Sequence, residues 1–279
     1  MPNRIALAQM CSGVDPAANA SALRSHVDEA AEGGAEILFT PEMTGLLDRN
    51  RSRASLHIRQ EADDVVLQEA RDSAARRSIW LAIGSLAIKL DDDDGSKWIN
   101  RSYLISPSGQ IAAKYDKIHL FDVDLDTGET WRESAAYQAG TKAVTSPVSD
   151  ATLGLSICYD LRFPSLFASL TNAGADILSI PAAFTVPTGK AHWEILLRAR
   201  AIEAGVFVVA AAQSGKHEDG RETYGHSMVV GPWGDVLLDM GSDIGVGLCD
   251  IDLADIAKIQ GRIPAISNRR AFAPPKVSS

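Results

Sequence analysis

Cysteine is scarce in this chain. The 279 residues include three cysteines, Cys11, Cys158 and Cys249, which is an odd number at wide spacing. Small disulfide-stapled domains carry even numbers of cysteines at close spacing, and cysteine zinc sites carry CxxC pairs. The sequence therefore predicts neither a disulfide framework nor a cysteine zinc site.

Long apolar runs and an excess of positive charge are also missing. The longest apolar run, Val206–Ala212, is far shorter than the roughly 20 residues that cross a bilayer, and the first ten residues lack the apolar core of a signal peptide. A formal net charge of -9 opposes binding to nucleic acid or to an anionic membrane, because both repel an acidic surface. We expect a cytoplasmic protein whose partner is a small or neutral molecule.

The residues that usually bind metals are not grouped. His119, His192 and His226 fall in different predicted elements without ligand spacing. The acidic run Asp91–Asp94 lacks the alternating spacing and the distal Glu of an EF-hand loop. We expect structural hydrogen bonds from the histidines, a solvated hairpin tip at the acidic run, and no metal site.

What the chain does contain is a regular alternation of short apolar strands with amphipathic helices. This alternation favours an α/β layered fold, and the absence of a linker or an abrupt change of composition predicts one domain over residues 1–279, with a tail from about 270. Predicted helices span 15–32, 62–77, 160–173 and 191–204. Predicted strands span 4–10, 36–40, 80–88, 103–106, 111–115, 153–157, 176–181, 206–212, 224–230, 236–240 and 246–251.

Cys158 lies where an apolar run ends and a helical pattern begins. Leu153, Leu155 and Ile157 alternate with small residues, as in a buried strand. A thiol at such a corner lies near backbone N–H groups, whose partial positive charge favours the thiolate and could hold an oxyanion. Cys158 is therefore either a presented nucleophile or a buried structural cysteine, and this stretch alone does not decide between them.

Two other stretches supply groups that a cysteine nucleophile needs. Glu42 follows a buried strand and a proline, where open α/β sheets gather their ligands, although a solvated turn residue is the alternative. Lys117 begins a polar irregular segment, for which a surface loop with internal salt bridges is the alternative. In one cleft, Glu42 would supply a base and Lys117 a fixed positive charge beside Cys158.

These motifs resemble, in order and spacing, the Glu, Lys and Cys motifs of the nitrilase superfamily of carbon-nitrogen hydrolases. The resemblance covers nearly the whole chain and rests on Pro41-Glu42, on 117–124 with Glu133-Ser134, and on 158–164. Residues 191–203 and 224–234 resemble the Nit branch of small-amide hydrolases. Within that branch, 211–217 is more similar to the deaminated glutathione amidase subfamily than to the omega-amidase subfamily. Two stretches depart from the family pattern, 43–44 and 126–128.

The resemblance implies a four-layer αββα sandwich, a homodimer paired through helices beside the active site, and no metal or organic cofactor. It implies hydrolysis of a small carboxylate-bearing linear amide to acid and ammonia, through a thioester on Cys158. Glu42 would transfer the protons, while Lys117 and the Tyr159 backbone N–H would hold the oxyanion. Glu133 would orient Lys117 or the substrate.

Three further residues are predicted to bind the substrate: Arg162, Phe184 and Thr185. Arg162 lies four residues after Cys158 and matches an arginine that related carbamoylases use near the substrate carboxylate. A local cation of this kind would offset the field of an acidic protein. The alternative is that Arg162 braces its helix by pairing with Asp160 or a neighbouring acid.

Functions of other classes are also compatible with parts of the sequence. A non-catalytic binding protein of the same fold would be expected to lose Glu42, Lys117 or Cys158, and all three are present. A redox-sensing thiol gives no role to Glu42 or Lys117, and no CxxC accompanies Cys158. Within the enzyme class, hydrolysis of N-carbamoyl amino acids and of nitriles uses similar residues, and Tyr159-Asp160 favours amides over nitriles.

Overall fold

The computed structural model of the chain describes residues 3–90, 97–124 and 130–275. The strands within these ranges are β1 Asn3–Gln9, β2 Ile37–Phe39, β3 Arg59–Gln60, β4 Trp80–Lys89, β5 Trp98–Ile105, β6 Ile111–Asp116, β7 Asp122–Asp124, β8 Thr130–Arg132, β9 Val144–Val148, β10 Ala151–Leu155, β11 Ile177–Ser179, β12 Phe207–Ala210, β13 Ser214–Lys216, β14 Glu222–Tyr224, β15 Met228–Val230, β16 Val236–Asp239 and β17 Gly245–Ile251. The α-helices there are α1 Pro16–Glu32, α2 Arg51–Ala54, α3 Val65–Arg77, α4 Pro164–Asn172, α5 Val186–Ala204 and α6 Ala254–Arg262. The predicted acidic hairpin tip at 91–94 and the stretch 126–128 lie outside the described residues.

Two large sheets carry the architecture. Among the described strands, the first sheet has the order β17-β1-β2-β4-β5-β6, with β3 joined to β4, and the second has the order β16-β15-β12-β11-β10-β9. Each sheet has a parallel centre, formed by β1, β2 and β4 in the first and by β10, β11 and β12 in the second. Antiparallel strands flank both centres.

The two sheets pack face to face, and helices cover their outer faces. Leu7 of the first sheet shares one buried core with Leu155 of the second, whereas its neighbour Ala8 belongs to a separate core with Leu23 of α1. Helices α1 and α3 pack on the first sheet, and α4 and α5 pack on the second, where Trp193 is buried. This is the four-layer αββα sandwich of the predicted α/β class.

Two predicted helix starts are corrected by local capping. The helix predicted over 62–77 begins at Val65, because the Asp64 carboxylate accepts the N–H groups of Val66 and Leu67 and the preceding residues form a 3₁₀ turn. The helix predicted over 160–173 is a 3₁₀ turn over Cys158–Arg162 followed by α4, which begins at Pro164. Proline is well suited to the first helical position, because the N–H that it lacks has no intrahelical partner there.

Other predicted elements differ in extent, and the strand predicted over 103–106 begins earlier, at Trp98. The helix predicted over 191–204 begins at Val186 and ends at the predicted residue. The strand predicted over 224–230 is divided between β14 and β15, which belong to different sheets. Gly225 and His226 have φ of 73° and 56°, and this left-handed backbone interrupts the strand. The helix predicted to open at Asp15 is confirmed, since Asp15 caps α1.

The described residues contain no helix whose length and apolar character would let it span a bilayer. Residues 270–275 have no regular structure and are exposed.

Candidate active site

Glu42, Lys117 and Cys158 meet at one end of the sandwich. Glu42 lies three residues beyond β2 and Lys117 directly follows β6, both from the first sheet, whereas Cys158 lies three residues beyond β10 of the second sheet. The exposed fractions are 5%, 2% and 8% in that order, so Glu42 is not a solvated turn residue and Lys117 is not part of a surface loop.

The Lys117 ammonium lies between two carboxylates. Its Nζ is 2.8 Å from Glu42 Oε1, 2.9 Å from Glu133 Oε2 and 3.1 Å from Glu133 Oε1. Burial alone would lower the pKa of Lys117, but the charges of Glu133 and Glu42 outweigh it and raise that pKa well above its ordinary value. Lys117 therefore stays cationic throughout the neutral range.

The Glu42 carboxylate accepts hydrogen bonds from several groups. Its Oε1 accepts from Lys117 and from Asn100 Nδ2 at 3.0 Å, and its Oε2 accepts the Ala183 N–H at 3.1 Å. Burial works to raise the pKa of Glu42, but the charge of Lys117 and these hydrogen bonds prevail and lower it. The neighbouring Cys158 thiol also acts to lower the pKa of this carboxylate. Glu42 is therefore ionised at neutral pH and can accept a proton.

The backbone at Cys158 is left-handed, with φ of 49°, and its N–H is held by Pro181 O at 2.8 Å. Burial and then the charge of Glu42 raise the pKa of the Cys158 thiol well above its ordinary value, although Lys117 acts in the opposite sense. The prediction that this corner favours the thiolate is therefore wrong for the resting site, because the thiol is buried beside an anion. The arrangement is a neutral thiol beside an ionised carboxylate.

The turn after Cys158 leaves one backbone donor available. Within the described residues the Tyr159 N–H has no hydrogen-bond partner, whereas the Asp160 N–H is taken by Ile157 O. A free N–H next to the thiol and an ammonium close by are the donors that an oxyanion at this position needs.

Asp160 fixes the shape of this turn. It is fully buried, and its carboxylate accepts from the Tyr115 hydroxyl at 2.6 Å, from the Ile157 N–H at 2.9 Å and from the His119 N–H at 3.1 Å. The His119 ring nitrogen Nδ1 lies 2.7 Å from the same carboxylate. The alternative in which Arg162 pairs with Asp160 is therefore not the arrangement observed.

Arg162 instead lies beside His192 and the Phe184 ring at the cavity. One guanidinium nitrogen is 3.3 Å from His192 Nδ1, and the guanidinium carbon is 5.6 Å from the centre of the Phe184 ring. Among the described residues, no carboxylate forms an ion pair with Arg162. Arg162, Phe184 and Thr185 all line the same cavity as Cys158, so the structure brings the predicted substrate-binding residues to the thiol.

The turn that carries Glu42 is held tightly from behind. Gln213, fully buried, donates to Glu42 O at 3.0 Å, and Met43 has a left-handed φ of 55°. Gly84 of β4 lies so close that a Cβ there would be 2.3 Å from Pro41 O. These supports were not predicted from the sequence, although an isolated glycine within a strand is a signal for a close backbone approach.

The cavity has a volume of about 550 Å³, which suits a small molecule. Its wall also carries cationic and aromatic side chains that were not predicted from the sequence: Arg49, Arg51, Arg132 and Arg221, with Trp98, Phe121, Trp131 and Tyr137. The Arg221 guanidinium lies 5.3 Å from the centre of the Trp131 ring. These residues are scattered over loops and several separate elements, α2, β5 and β8 among them, and neither their spacing nor their type distinguishes them in the sequence.

The predicted structural role of the histidines is confirmed. His119 contacts Asp160, His226 Nδ1 lies 3.0 Å from Asp239, and His192 contacts Arg162. No group of three or more His, Cys, Asp or Glu side chains in the described ranges could hold a metal ion.

Comparisons with known proteins agree with the geometry. A family model described as carbon-nitrogen hydrolase matches residues 4–260. The chain is 37% identical over 267 residues to the deaminated glutathione amidase of Yersinia enterocolitica, a match that covers 95% of this chain and 92% of that protein.

Solved structures with the same fold include two that cover nearly the whole chain. The NitFhit protein of C. elegans has a TM-score of 0.89 at 37% identity, over 96% of this chain and 65% of that one, so this chain spans about two thirds of that protein. The NitN amidase from Nesterenkonia sp. AN1 has a TM-score of 0.80 at 27% identity, over 96% of each chain.

Proposed function

The chain belongs to the carbon-nitrogen hydrolase family, and from this premise we propose that it hydrolyses a small linear amide bearing a carboxylate, with Cys158 as the nucleophile. As a member of that family it is a hydrolase of carbon-nitrogen bonds other than peptide bonds. The observation that carries the proposal is the burial of Glu42, Lys117 and Cys158 at one cavity, with the Lys117 ammonium 2.8 Å from the Glu42 carboxylate.

In the first half of the reaction, Glu42 takes the proton of the Cys158 thiol as sulfur attacks the amide carbon. The carbonyl oxygen becomes an oxyanion, which the Lys117 ammonium and the Tyr159 N–H stabilise. Glu42 then returns the proton to the leaving nitrogen, and the carbon–nitrogen bond breaks. The products are a thioester on Cys158 and ammonia, or an amine when the amide is secondary.

In the second half, Glu42 takes a proton from water, and the resulting nucleophile attacks the thioester carbon. The same donors hold the second oxyanion. The carbon–sulfur bond breaks, the acid is released, and Glu42 returns its proton to sulfur. Glu133 would orient Lys117 throughout, since both of its oxygens lie within 3.1 Å of the ammonium.

Deaminated glutathione is the substrate that we propose first. The relative from Yersinia enterocolitica carries this activity in its name, and residues 211–217 resemble the same subfamily. An omega-amide such as 2-oxoglutaramate is the second candidate and an N-carbamoyl amino acid the third. Arg162, which has no carboxylate partner among the described residues, supports a substrate with a carboxylate, because its charge lies at the cavity.

A homodimer paired through α5 belongs to the same proposal. Ile195 and Ile202 lie two turns apart on α5 and are 69% and 54% exposed, and Trp233 near Ile202 is 55% exposed. Large apolar side chains grouped in this way favour a protein contact. We call this surface the α5 apolar face and define it by Ile195, Ile202 and Trp233.

A cytoplasmic location is also proposed. The three cysteines Cys11, Cys158 and Cys249 are free thiols in the structure. Free thiols persist in reducing compartments.

A substrate panel tests the function. Purified protein is assayed with deaminated glutathione, 2-oxoglutaramate, an N-carbamoyl amino acid, a neutral aliphatic amide and a nitrile. The acid or amino-acid product is followed by chromatography, because a secondary amide such as deaminated glutathione releases an amine instead of ammonia. We expect the highest kcat/KM for deaminated glutathione and no turnover by Cys158→Ala.

A tenfold preference for 2-oxoglutaramate would assign the chain to the omega-amidases instead. Turnover of none of the five substrates by the folded wild-type protein would contradict the proposed function. Variants Cys11→Ala and Cys249→Ala serve as controls, because neither residue lines the cavity and their activity should match that of the wild type.

A further inference from the structure

Asn100 is a buried polar residue in the first half of β5. It is 1% exposed and lies between β4 and β6, where its backbone oxygen accepts the Lys117 N–H at 2.9 Å. Its side chain points into the group of Glu42, Lys117 and Glu133, although the mechanism assigns it no step.

The amide nitrogen of Asn100 serves two carboxylates at once. Asn100 Nδ2 is 3.0 Å from Glu42 Oε1 and 3.2 Å from Glu133 Oε1. An amide nitrogen carries two hydrogens, so each can be directed at one carboxylate. The Lys117 ammonium donates to the same two oxygens. Asn100 is therefore a neutral donor that duplicates the contacts of the lysine.

The orientation of this amide is fixed by its neighbours. If the amide turned over, Asn100 Oδ1 would face two carboxylates, and acceptors would oppose acceptors. In the observed orientation, Oδ1 is buried without a hydrogen-bond partner among the described residues. A buried acceptor left in this state lowers stability, so the side chain is not arranged for stability alone.

Charge explains why a neutral donor is useful here. Glu42 and Glu133 share one ammonium, and two carboxylates at one site oppose each other's ionisation. Within the described residues, the titratable groups around Glu42 are Lys117, Cys158, Glu133 and Tyr137. Asn100 can stabilise both anions without adding a further charge that would alter Lys117 or the oxyanion.

We propose that Asn100 is a positioning residue that fixes the carboxylates of Glu42 and Glu133 on one ammonium and keeps Glu42 ionised for proton transfer. The inference rests on the proposed function, because it assumes that Glu42 is the base. It goes beyond that function in naming a neutral donor that sets the pH range over which the base works.

The test is the pH dependence of kcat/KM for Asn100→Leu, a variant of similar size without donors. The hydrogen bond from Asn100 lowers the pKa of Glu42, so its removal raises that pKa, and activity falls at a higher pH than in the wild type. We expect the acid limb of the profile to move upward by about one to two pH units. The rate of Cys158 alkylation by iodoacetamide, which needs no turnover, should show the same displacement.

Ser102→Ala is the matched control. Ser102 lies two residues along the same strand, is 2% exposed, and donates to Ile83 O at 2.9 Å rather than to either carboxylate. This variant should lose thermal stability and keep the wild-type acid limb. If Asn100→Leu does not fold, Asn100→Asp replaces it, because a third carboxylate should also move the limb upward.

An acid limb that stays in place in the folded Asn100 variant, with activity merely scaled down, would overturn the inference. An equal displacement in Ser102→Ala would do so as well. The variant Glu42→Gln distinguishes a failure of the proposed function from a failure of the role proposed for Asn100. Wild-type activity in Glu42→Gln would contradict the proposed mechanism itself, whereas an inactive Glu42→Gln with an unmoved limb in Asn100→Leu would remove only the role of Asn100.

Discussion

Lys117 contacts two acids with a compact charge, and the position of that charge determines what the site can do. In Lys117→Arg the charge is kept, but the longer planar guanidinium cannot occupy the point 2.8 Å from Glu42 Oε1 without displacing a neighbour. We expect kcat to fall by about 100- to 1,000-fold, the usual loss for one oxyanion donor.

Lys114→Arg is the control for this substitution. Lys114 lies three residues earlier on β6 and forms an exposed ion pair with Glu61, so its variant should keep wild-type kcat. Near-normal turnover by Lys117→Arg would show that only the net charge matters and would argue against direct contact between Lys117 and the oxyanion.

The thiol of Cys158 should resist ionisation in the absence of substrate. Because burial and the charge of Glu42 raise its pKa, thiolate absorbance near 240 nm should appear at a higher pH than for a free cysteine, whose pKa is about 8.5. The difference between wild type and Cys158→Ala isolates this signal. A titration midpoint below 8.5 would contradict the raised pKa, and a midpoint below neutral pH would mean that the resting site holds a thiolate and that Glu42 is not needed to remove the proton.

Arg162 should discriminate between charged and neutral substrates. Replacement by lysine removes the bidentate fork, so KM should rise at least about tenfold for a carboxylate-bearing amide and much less for a neutral one. Arg132→Lys is the matched control, because Arg132 lines the same cavity while pairing with Asp124 at 2.8 Å. Equal losses for both substrates in Arg162→Lys would assign that residue to the scaffold.

At the scale of residues, the sequence predicts the candidate catalytic side chains better than the groups that hydrogen-bond to them. Glu42, Lys117 and Cys158 stand in motifs, and burial in the structure removes the surface alternatives for the first two. Their catalytic roles stay predictions. The contacts of Asn100 and Ala183 with Glu42 were not predicted. The contact of Asn100 depends on how β5 pairs with its neighbours, and Ala183 contributes a backbone N–H, which any residue except proline could supply.

Among the elements, β4 positions Glu42, because Gly84 of this strand lets the backbone of Thr40 and Pro41 pack closely against it. A methyl group at Gly84 would lie 2.2 Å from Thr40 O, so Gly84→Ala must displace the turn that carries Glu42. We expect a loss of about 1 to 3 kcal/mol in the free energy of unfolding and a lower kcat. Urea unfolding and steady-state kinetics measure the two effects.

Gly261→Ala controls for the substitution itself. Gly261 lies in α6, and a methyl group there would meet no neighbouring group within 4 Å among the described residues, so this variant should be neutral or slightly more stable. Unchanged stability and kcat in Gly84→Ala would mean that β4 does not constrain the turn.

The ends of helices and strands are predicted from the sequence less accurately than their central residues. The first turn of α5 contains Pro187 and Gly189, which are weak helix formers, and the apolar periodicity becomes visible only from Trp193. Gly189 is required because a Cβ would lie 2.2 Å from the Tyr224 ring, a contact distant in sequence. The strand predicted over 224–230 is divided because Gly225 and His226 have positive φ angles. The residues on both sides are typical of strands, so the sequence does not indicate this interruption.

For the whole molecule, the α5 apolar face allows a direct test of assembly. Ile195→Asp places a charge in the centre of the proposed contact, so it should convert a dimer into a monomer in sedimentation experiments. Val65→Asp is the control, because Val65 is 55% exposed on α3, which covers the other sheet. A wild-type monomer at micromolar concentration, or an Ile195→Asp dimer, would contradict the proposed homodimer.

The α/β class and the four layers were predicted correctly from the alternation of elements and the family resemblance. Helix and strand periodicities are local, so they survive in the sequence of an isolated segment. The pairing of β1 with β17 and the division of strands between two sheets are contacts between distant residues, and no local pattern specifies them. The single domain over 1–279 stays a prediction.

The order of the strands along the chain also determines how late in synthesis the active site can be completed. The strand β1 is made early, yet it pairs with β17, where Asn3 lies opposite Ile251, and β17 follows every strand of the second sheet in the chain. The first sheet therefore cannot be completed while a ribosome is still adding the second. Such distant pairings fold slowly, and a nascent chain that already contains Glu42, Lys117 and Cys158 should remain inactive until its last strand emerges.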